Sequence, residues 1–262
     1  MIDKVPVQAA FLDLSDYARP VAKWLVRALL PTPITSIHLT IAYTFVGLIA
    51  AVLFALDRWL PIAGFLLLVK SMLDAADGTL ARARRQPSRV GRFLDSVCDF
   101  VVNVAVFFGI VVGLESRTGQ SWFWLAALAL LFAMLQVSVF NYYYVRYRAQ
   151  TDGDVTSKVD ESASGGYSGD NVVALSILHA LYRVIYAWQD ALMDWIDRSI
   201  APKSSQLAPT FLTAASVLGL GTQLLVTAAC AVIGQPVWAL WAFVTVFNFY
   251  WIALLIFRRV SP

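Results

Sequence analysis

Four aspartates stand out in a chain that carries few charges: Asp74, Asp77, Asp95 and Asp99, in the strings LVKSMLDAADGTLARARR and VGRFLDSVCDF. Asp74 and Asp77 are three residues apart and Asp95 and Asp99 are four apart, so on α-helices each pair shares one face. A short turn between the strings makes the two helices antiparallel neighbours and lets all four carboxylates converge on one point. Hard oxygen donors in that number suit Mg²⁺ or Mn²⁺, with substrate phosphates completing the coordination shell. Small residues accompany the acids. Gly78 and Ala81 follow the first pair, and Gly91 lies one turn before Asp95, which leaves room for a nucleotide or lets the helices approach closely. Arg82, one turn after Gly78, can reach a phosphate oxygen. Lys70, one turn before Asp74, offsets part of the negative charge.

The elements that position these residues follow from composition. The chain has 262 residues, 59% apolar and 14% charged, against about 25% charged in soluble domains. Its mean hydropathy is +0.68. This is the composition of an all-α integral membrane protein. Six runs near the roughly 20 residues that a bilayer demands fall at about 37–56, 60–84, 91–114, 122–144, 210–233 and 237–257. The four aspartates therefore lie at or within the membrane, where ionised groups are costly and mark function. A proton or cation pathway is the competing reading, but such a pathway requires neither Gly78 and Ala81 nor a fixed gap between the two acidic strings.

Orientation follows from the basic residues. With the N-terminus inside, the outer loops near 57–58, 115–120 and 234–235 hold Arg58 and Arg117, and Lys70 lies within a span. Of the 20 Lys and Arg, 17 remain for the other side. The positive-inside rule then puts both termini and the acidic turn on the cytoplasmic face, in an inner membrane. The segment SDYARPVAKWLVRALLP, within residues 1–36, has apolar residues at helical spacing among Arg19, Lys23 and Arg27, and predicts an interfacial amphipathic helix. An insert at 149–208 begins polar and Gly/Ser-rich, as a mobile stretch does. It ends as NVVALSILHALYRVIYAWQDALMDWIDRSIAP, which predicts a second, bent surface helix. The polar face of Gln189, Asp190, Asp194, Asp197 and Arg198 argues against a seventh span. Cys98 and Cys230 sit in apolar runs and are expected to be free thiols. The first residues are too polar for the apolar core of a cleavable leader. The whole of 1–262 is expected to form one catalytic domain.

The acidic strings also carry a resemblance. The pattern D-x2-D-G-x2-A-R-x8-G-x3-D-x3-D is the signature of CDP-alcohol phosphotransferases, and this sequence matches it at Asp74, Asp77, Gly78, Ala81, Arg82, Gly91, Asp95 and Asp99. The six-span layout and the N-terminal surface helix are similar to the family as well. The stretch PTPITSIHLT loosely resembles the family's lead into the first span, with Ile34 where Asn is usual. The resemblance implies a two-metal site with Asp74, Asp77 and Asp95 as shared Mg²⁺ or Mn²⁺ ligands. It implies that Asp99 is a ligand and the general base, and that Gly78, Ala81 and Arg82, with Gly91 beside them, contact the CDP group. It further implies a homodimer and a reaction in phospholipid biosynthesis: CDP-diacylglycerol plus a small alcohol gives a phospholipid and CMP. Some relatives instead transfer from CDP-choline or CDP-ethanolamine to diacylglycerol through the same motif. Membrane lipids are expected partners, and nucleic acid is not.

The acceptor is harder to read. Phe100 follows Asp99 where relatives using phosphorylated acceptors often carry Lys or Arg, and the run LDSVCDFVVNVAVFFG leans toward serine-using relatives. Arg146 and Arg148, with Tyr144, resemble a Ser-Tyr-x-Arg-Ala-Arg stretch beside the family's active site. They compete with a plain reading as an aromatic belt with a basic stop. Asn103, one turn beyond Asp99, can line the same cavity or join helices. Arg146, Arg148, Lys70 and Asn103 are therefore the candidates for acceptor or lipid contacts. The cluster Arg84, Arg85, Arg89 and Arg92 reads first as a positive-inside feature.

Overall fold

The computed structural model describes residues 5–153, 166–167, 169–200 and 206–260, and the described residues contain helices and no strand. Most of the Gly/Ser-rich stretch expected to be mobile lies outside the described residues. Helix α1 (Arg19–Leu29) precedes four long helices: α2 (Ser36–Ala55), α3 (Leu60–Ala83), α4 (Arg89–Thr118) and α5 (Phe123–Gln150). The insert holds α6 (Val172–Tyr182), a π-helical turn at Arg183–Ala187, and α7 (Trp188–Ile200). Two interrupted helices close the bundle: α8 (Pro209–Ser216) with α9 (Leu220–Val232), and α10 (Val237–Val244) with α11 (Val246–Val260).

Length and apolarity alone select six helical stretches able to cross a membrane, and these differ from the sequence reading in one exchange: Val172–Ile200 is among them and α3 is not. The reason lies in α3 itself, where Lys70, Asp74, Asp77 and Arg82 interrupt the apolar run. Packing puts α3 back among the spans. Its 24 residues extend about 36 Å, enough for a hydrocarbon core of about 30 Å. It sits against α2 and α9, with Ala63 and Leu67 fully buried.

The insert helix behaves differently. His179 and Tyr182 pack on Phe93, and the Tyr186 hydroxyl donates to the Ser96 carbonyl, both near the start of α4. Ser138 donates to Gln189 from the second half of α5, while Asp197 pairs with Arg146 near the end of α5 and with Arg258 near the end of α11. All these partners lie toward one end of the bundle. A crossing helix of 29 residues would move from one end of its neighbours to the other. This one bends at its π turn and stays at the end that carries the acidic residues, as the sequence predicts for a bent surface helix. The six spans are therefore α2, α3, α4, α5, α8–α9 and α10–α11.

Close helix contact replaces hydrophobic driving force inside lipid, and it needs small residues. A Cβ on Gly109 would lie 2.5 Å from the Ala51 carbonyl oxygen, and one on Gly64 would lie 2.8 Å from that of Ala228. The breaks in the last two spans leave backbone groups that lipid cannot satisfy. Gln136 on α5 supplies one donor, its amide reaching the Phe243 carbonyl at 2.8 Å and the Asn248 side chain at 2.9 Å. Gln223 on α9 donates back to Gln136 at 3.2 Å. The other break, at residues 217–219, receives the N-terminal segment. The Leu14 N–H donates to Ser216 Oγ at 2.9 Å, and Gly219 and Gly221 leave space for Ser15.

Helix α1 is amphipathic as predicted, burying Ala22 and Val26 against Ala76 and Leu80 of α3 and exposing Val21 and Trp24. Arg84 holds this corner. Its guanidinium donates to the carbonyls of Ile34 (2.6 Å), Thr32 (2.6 Å) and Leu29 (2.9 Å), tying the α1–α2 loop to the end of α3. Within the positive-inside cluster, Arg84 thus has a structural task of its own: its donors face backbone carbonyls. Hydrogen bonds from a charged donor contribute about 1.5–3 kcal/mol each, and stranded carbonyls add to the loss. Arg84→Ala should therefore destabilise the protein by roughly 3 kcal/mol or more, read as a lowered midpoint in thermal unfolding in detergent, with Arg85→Ala changing it far less.

Candidate active site

The α3–α4 corner sets the site. Helix α3 ends in a Schellman arrangement, with the Gln86 N–H on the Ala81 carbonyl and the Arg85 N–H on that of Arg82, both at 3.0 Å. Arg85 takes the left-handed conformation, φ 55°, where glycine is usual. Pro87 follows, and Ser88 caps α4 by accepting the Gly91 N–H at 2.9 Å. The insert supports this cap. Asp170 accepts the Ser88 hydroxyl at 2.7 Å, the Arg89 N–H at 3.0 Å and the Tyr167 N–H at 2.9 Å. Burial raises the Asp170 carboxyl, but its hydrogen bonds from Ser88 and from the backbone of Tyr167, Arg89 and Val90 outweigh that and leave it below the usual aspartate value. The contact persists from neutral pH down to that lowered value and is lost only when acid protonates the carboxylate.

With α3 and α4 antiparallel, the aspartates meet as the spacing predicts. Oxygens of Asp74, Asp95 and Asp99 lie within 4.8 Å of one another, a set able to hold a metal ion. Asp77 is on the same face of α3 and lines the same cavity, but its carboxylate accepts the Thr40 hydroxyl at 2.8 Å. Tyr43 of α2 is fully buried, and its hydroxyl lies 2.8 Å from Asp95 Oδ1 and 2.9 Å from the Asp95 carbonyl. The Lys70 ammonium is 2.9 Å from Asp74 Oδ2 and is also paired with Asp99. Hard, anionic oxygens at this spacing, oriented by neighbouring hydroxyls, fit Mg²⁺ or Mn²⁺ better than a softer metal.

Above the carboxylates opens a cavity of about 840 Å³. Gly78, Ala81, Arg82, Gly91 and Asn103 all line it. The two glycines serve room rather than helix contact. A Cβ on Gly78 would first meet the Arg82 guanidinium at 3.3 Å, and one on Gly91 would meet Ser88 Oγ at 3.4 Å, so neither faces a tightly packed helix. Arg85, Arg89 and Arg92 also line the cavity, as does Arg148, which lies over the Tyr144 ring at 5.0 Å. Arg146 does not join them. It projects to the Asp197 carboxylate on α7, which Tyr143 and Arg258 also reach, so its role is to anchor the insert. Lys70 is likewise outside the cavity lining, buried beneath the acids.

Sequence reasoning missed Thr40 and Tyr43. Ser36, Thr40, Tyr43 and Gly47 recur at helical spacing through an otherwise apolar span, and that polar stripe was the available signal. The insert, which the sequence suggests can shape the acceptor entrance, contributes Tyr167, Tyr182, Tyr186 and Asp190 to the cavity wall, residues that no sequence pattern singled out for the site.

Comparison with known proteins agrees with this geometry. Residues 28–196 match the family described as CDP-alcohol phosphatidyltransferase. The chain belongs to this family. It is 31% identical over 164 residues to an archaetidylinositol phosphate synthase of Pyrococcus horikoshii, covering 62% of this chain and 79% of that protein. It is 33% identical over 129 residues to a phosphatidylinositol phosphate synthase of Mycobacteroides abscessus, covering 49% and 56%. A bifunctional IPC transferase and DIPP synthase of Thermococcus kodakarensis is 29% identical over 159 residues, which covers 61% of this chain but only 35% of the longer protein. The chain is thus an integral membrane transferase of substituted phosphate groups.

If hydroxyls on α2 orient the carboxylates, removing one loosens metal binding without dismantling the site. Partners of metal ligands are typically worth about 10–100-fold in affinity. Tyr43→Phe should weaken Mn²⁺ binding by that order, measured by calorimetry on purified protein, while leaving the protein folded.

Proposed function

We propose that this enzyme moves the phosphatidyl group of CDP-diacylglycerol to a phosphorylated polyol such as inositol phosphate, releasing CMP, with the site open to the cytoplasm. The observation that carries the reading is the convergence of Asp74, Asp95 and Asp99 at the base of a cavity whose walls hold Arg82, Arg85, Arg89, Arg92 and Arg148. Carboxylates hold metal, and guanidinium groups suit phosphate oxygens. The donor pyrophosphate and an anionic acceptor both fit such a lining. The printed names of two relatives, an archaetidylinositol phosphate synthase and a phosphatidylinositol phosphate synthase, support the acceptor class. They favour it over serine, toward which the run after Asp99 leans.

Chemically, the acceptor hydroxyl oxygen attacks the diacylglycerol-bearing phosphorus of the donor. The new P–O bond forms as the bond to the CMP phosphate oxygen breaks, and the hydroxyl proton passes to Asp99. Asp74, Asp77, Asp95 and Asp99 would hold Mg²⁺ or Mn²⁺, in one or two ions, which when bound neutralises the pyrophosphate and stabilises the leaving CMP. Arg82 sits beside Gly78, positioned for a charge-assisted contact to the donor phosphates. Gly78, Ala81 and Gly91 leave space for the nucleotide. Arg148 and the Arg85–Arg92 group face the region left for the acceptor phosphate. The basic asymmetry of the loops supports the cytoplasmic, inner-membrane placement. The homodimer implied by the family resemblance belongs to the same reading.

The test is CMP release from CDP-diacylglycerol by purified enzyme with Mg²⁺ or Mn²⁺ across a panel of inositol phosphate, inositol, glycerol phosphate and serine. Turnover should be greatest with inositol phosphate. Asp99→Asn should cut turnover by about 10²–10⁴-fold, the usual contribution of a general base. Turnover with serine alone would refute the acceptor assignment, and near-normal turnover by Asp99→Asn would refute the role of that carboxylate.

A further inference from the structure

Lys70 is the charged residue that the chemistry above leaves without a task. It is fully buried on α3, one turn before Asp74, and it does not line the cavity, so it meets neither donor nor acceptor. Its ammonium contacts three groups. It donates to Asp74 Oδ2 at 2.9 Å, pairs with Asp99 Oδ1 on α4, and lies 4.7 Å from the centroid of the Tyr43 ring. Asp74 and Asp99 are two of the three carboxylates able to share a metal ion, and Tyr43 holds the third, Asp95. The ammonium therefore sits on two of the carboxylates that a divalent ion would share.

Electrostatics explains why a cation is built in. Asp74 and Asp77 on α3 face Asp95 and Asp99 on α4, and four like charges at membrane level drive the two helices apart. A lysine is suited to the gap because its ammonium is a compact charge on a flexible four-carbon stem, able to shift without moving the helix. Arginine, planar and bidentate, would hold the same oxygens more rigidly.

Resting on the metal-binding reading above, we propose that Lys70 is a tethered substitute cation. It bridges Asp74 and Asp99 before divalent metal arrives and then competes with the metal for those oxygens. Two consequences follow. The metal-free protein is more stable than four facing carboxylates would allow. Metal also binds more weakly than the ligand set alone would dictate. A merely structural ion pair behaves otherwise, supporting the metal-free and metal-loaded forms alike.

The experiment compares wild type with Lys70→Met and Lys70→Arg, purified in detergent, stripped with EDTA and titrated with Mn²⁺. Thermal unfolding reports stability, and the free Mn²⁺ signal in electron paramagnetic resonance reports binding. Lys70→Met should lower the melting temperature of the stripped protein by several degrees, show a larger rise on adding Mn²⁺ than wild type does, and half-saturate at about tenfold lower Mn²⁺. Equal destabilisation of both forms with unchanged half-saturation would overturn the proposal. If Lys70→Met is recovered only when purified in Mn²⁺, that outcome supports it. If it is not recovered at all, Lys70→Arg decides. Keeping both pairs, it should retain the stripped protein's melting temperature and weaken Mn²⁺ binding; lost stability with unchanged Mn²⁺ binding overturns the idea. Absence of Mn²⁺ binding by wild type would instead refute the metal reading on which the inference rests.

Discussion

Four carboxylates facing one another at membrane level are the constraint around which the rest of this protein is arranged. Unbalanced, they would repel each other and resist leaving water. The chain answers from two helices. Helix α2 contributes the Thr40 hydroxyl to Asp77 and the Tyr43 hydroxyl to Asp95, and α3 contributes Lys70 to Asp74 and Asp99. None of these groups removes the net negative charge. What remains is an acidic site suited to a divalent cation, which the proposed function uses to hold the pyrophosphate of a nucleotide-activated lipid.

Holding that arrangement needs rigid helices in fixed register. Glycines at 64 and 109 let α3 approach α9 and α4 approach α2 closely enough to lock them. The Schellman end of α3 and the Ser88 cap of α4 set the corner from which Asp77 and Asp95 project. Arg84 ties this corner to the α1–α2 loop, and Asp170 ties it to the insert. The insert is held at its far end by Asp197, which joins Arg146 and Arg258. Between those two anchors, Tyr182, Tyr186 and Asp190 form part of the cavity wall. The extra segment is thus built into the site rather than appended to it.

Much of this was legible in the residues because helical period converts spacing directly into direction. The gaps of three and four between aspartates, and the run after Gly78, put their side chains on one face whatever the packing. Where a residue's partner is distant in sequence, the reading stopped. Arg146 and Arg148 look equivalent in the string YYYVRYR, yet two residues turn a helix by about 200°, so Arg148 faces the cavity with Tyr144 while Arg146 faces Asp197, 51 positions away. The docking of Leu14 and Ser15 at the break before α9 left no local pattern either. Span α3 shows the opposite case. Its function lowers its apolarity so far that composition alone passes over it, whereas the insert helix is apolar enough to be mistaken for a span. A functional membrane helix is recognised by what its charges do, and a surface helix by where its partners lie.

The central claim is that Asp74, Asp77, Asp95 and Asp99 hold metal in order to hold a nucleotide pyrophosphate. Metal and nucleotide must then bind with reciprocal linkage. Isothermal calorimetry of purified protein with Mn²⁺, in the absence and in the presence of saturating CDP, tests this directly. The account predicts that CDP tightens Mn²⁺ binding, that Mn²⁺ tightens CDP binding by the same factor, and that Asp95→Asn abolishes the coupling. An Mn²⁺ affinity that is indifferent to CDP would contradict it and leave the acidic cluster as a cation site with no tie to phosphoryl transfer.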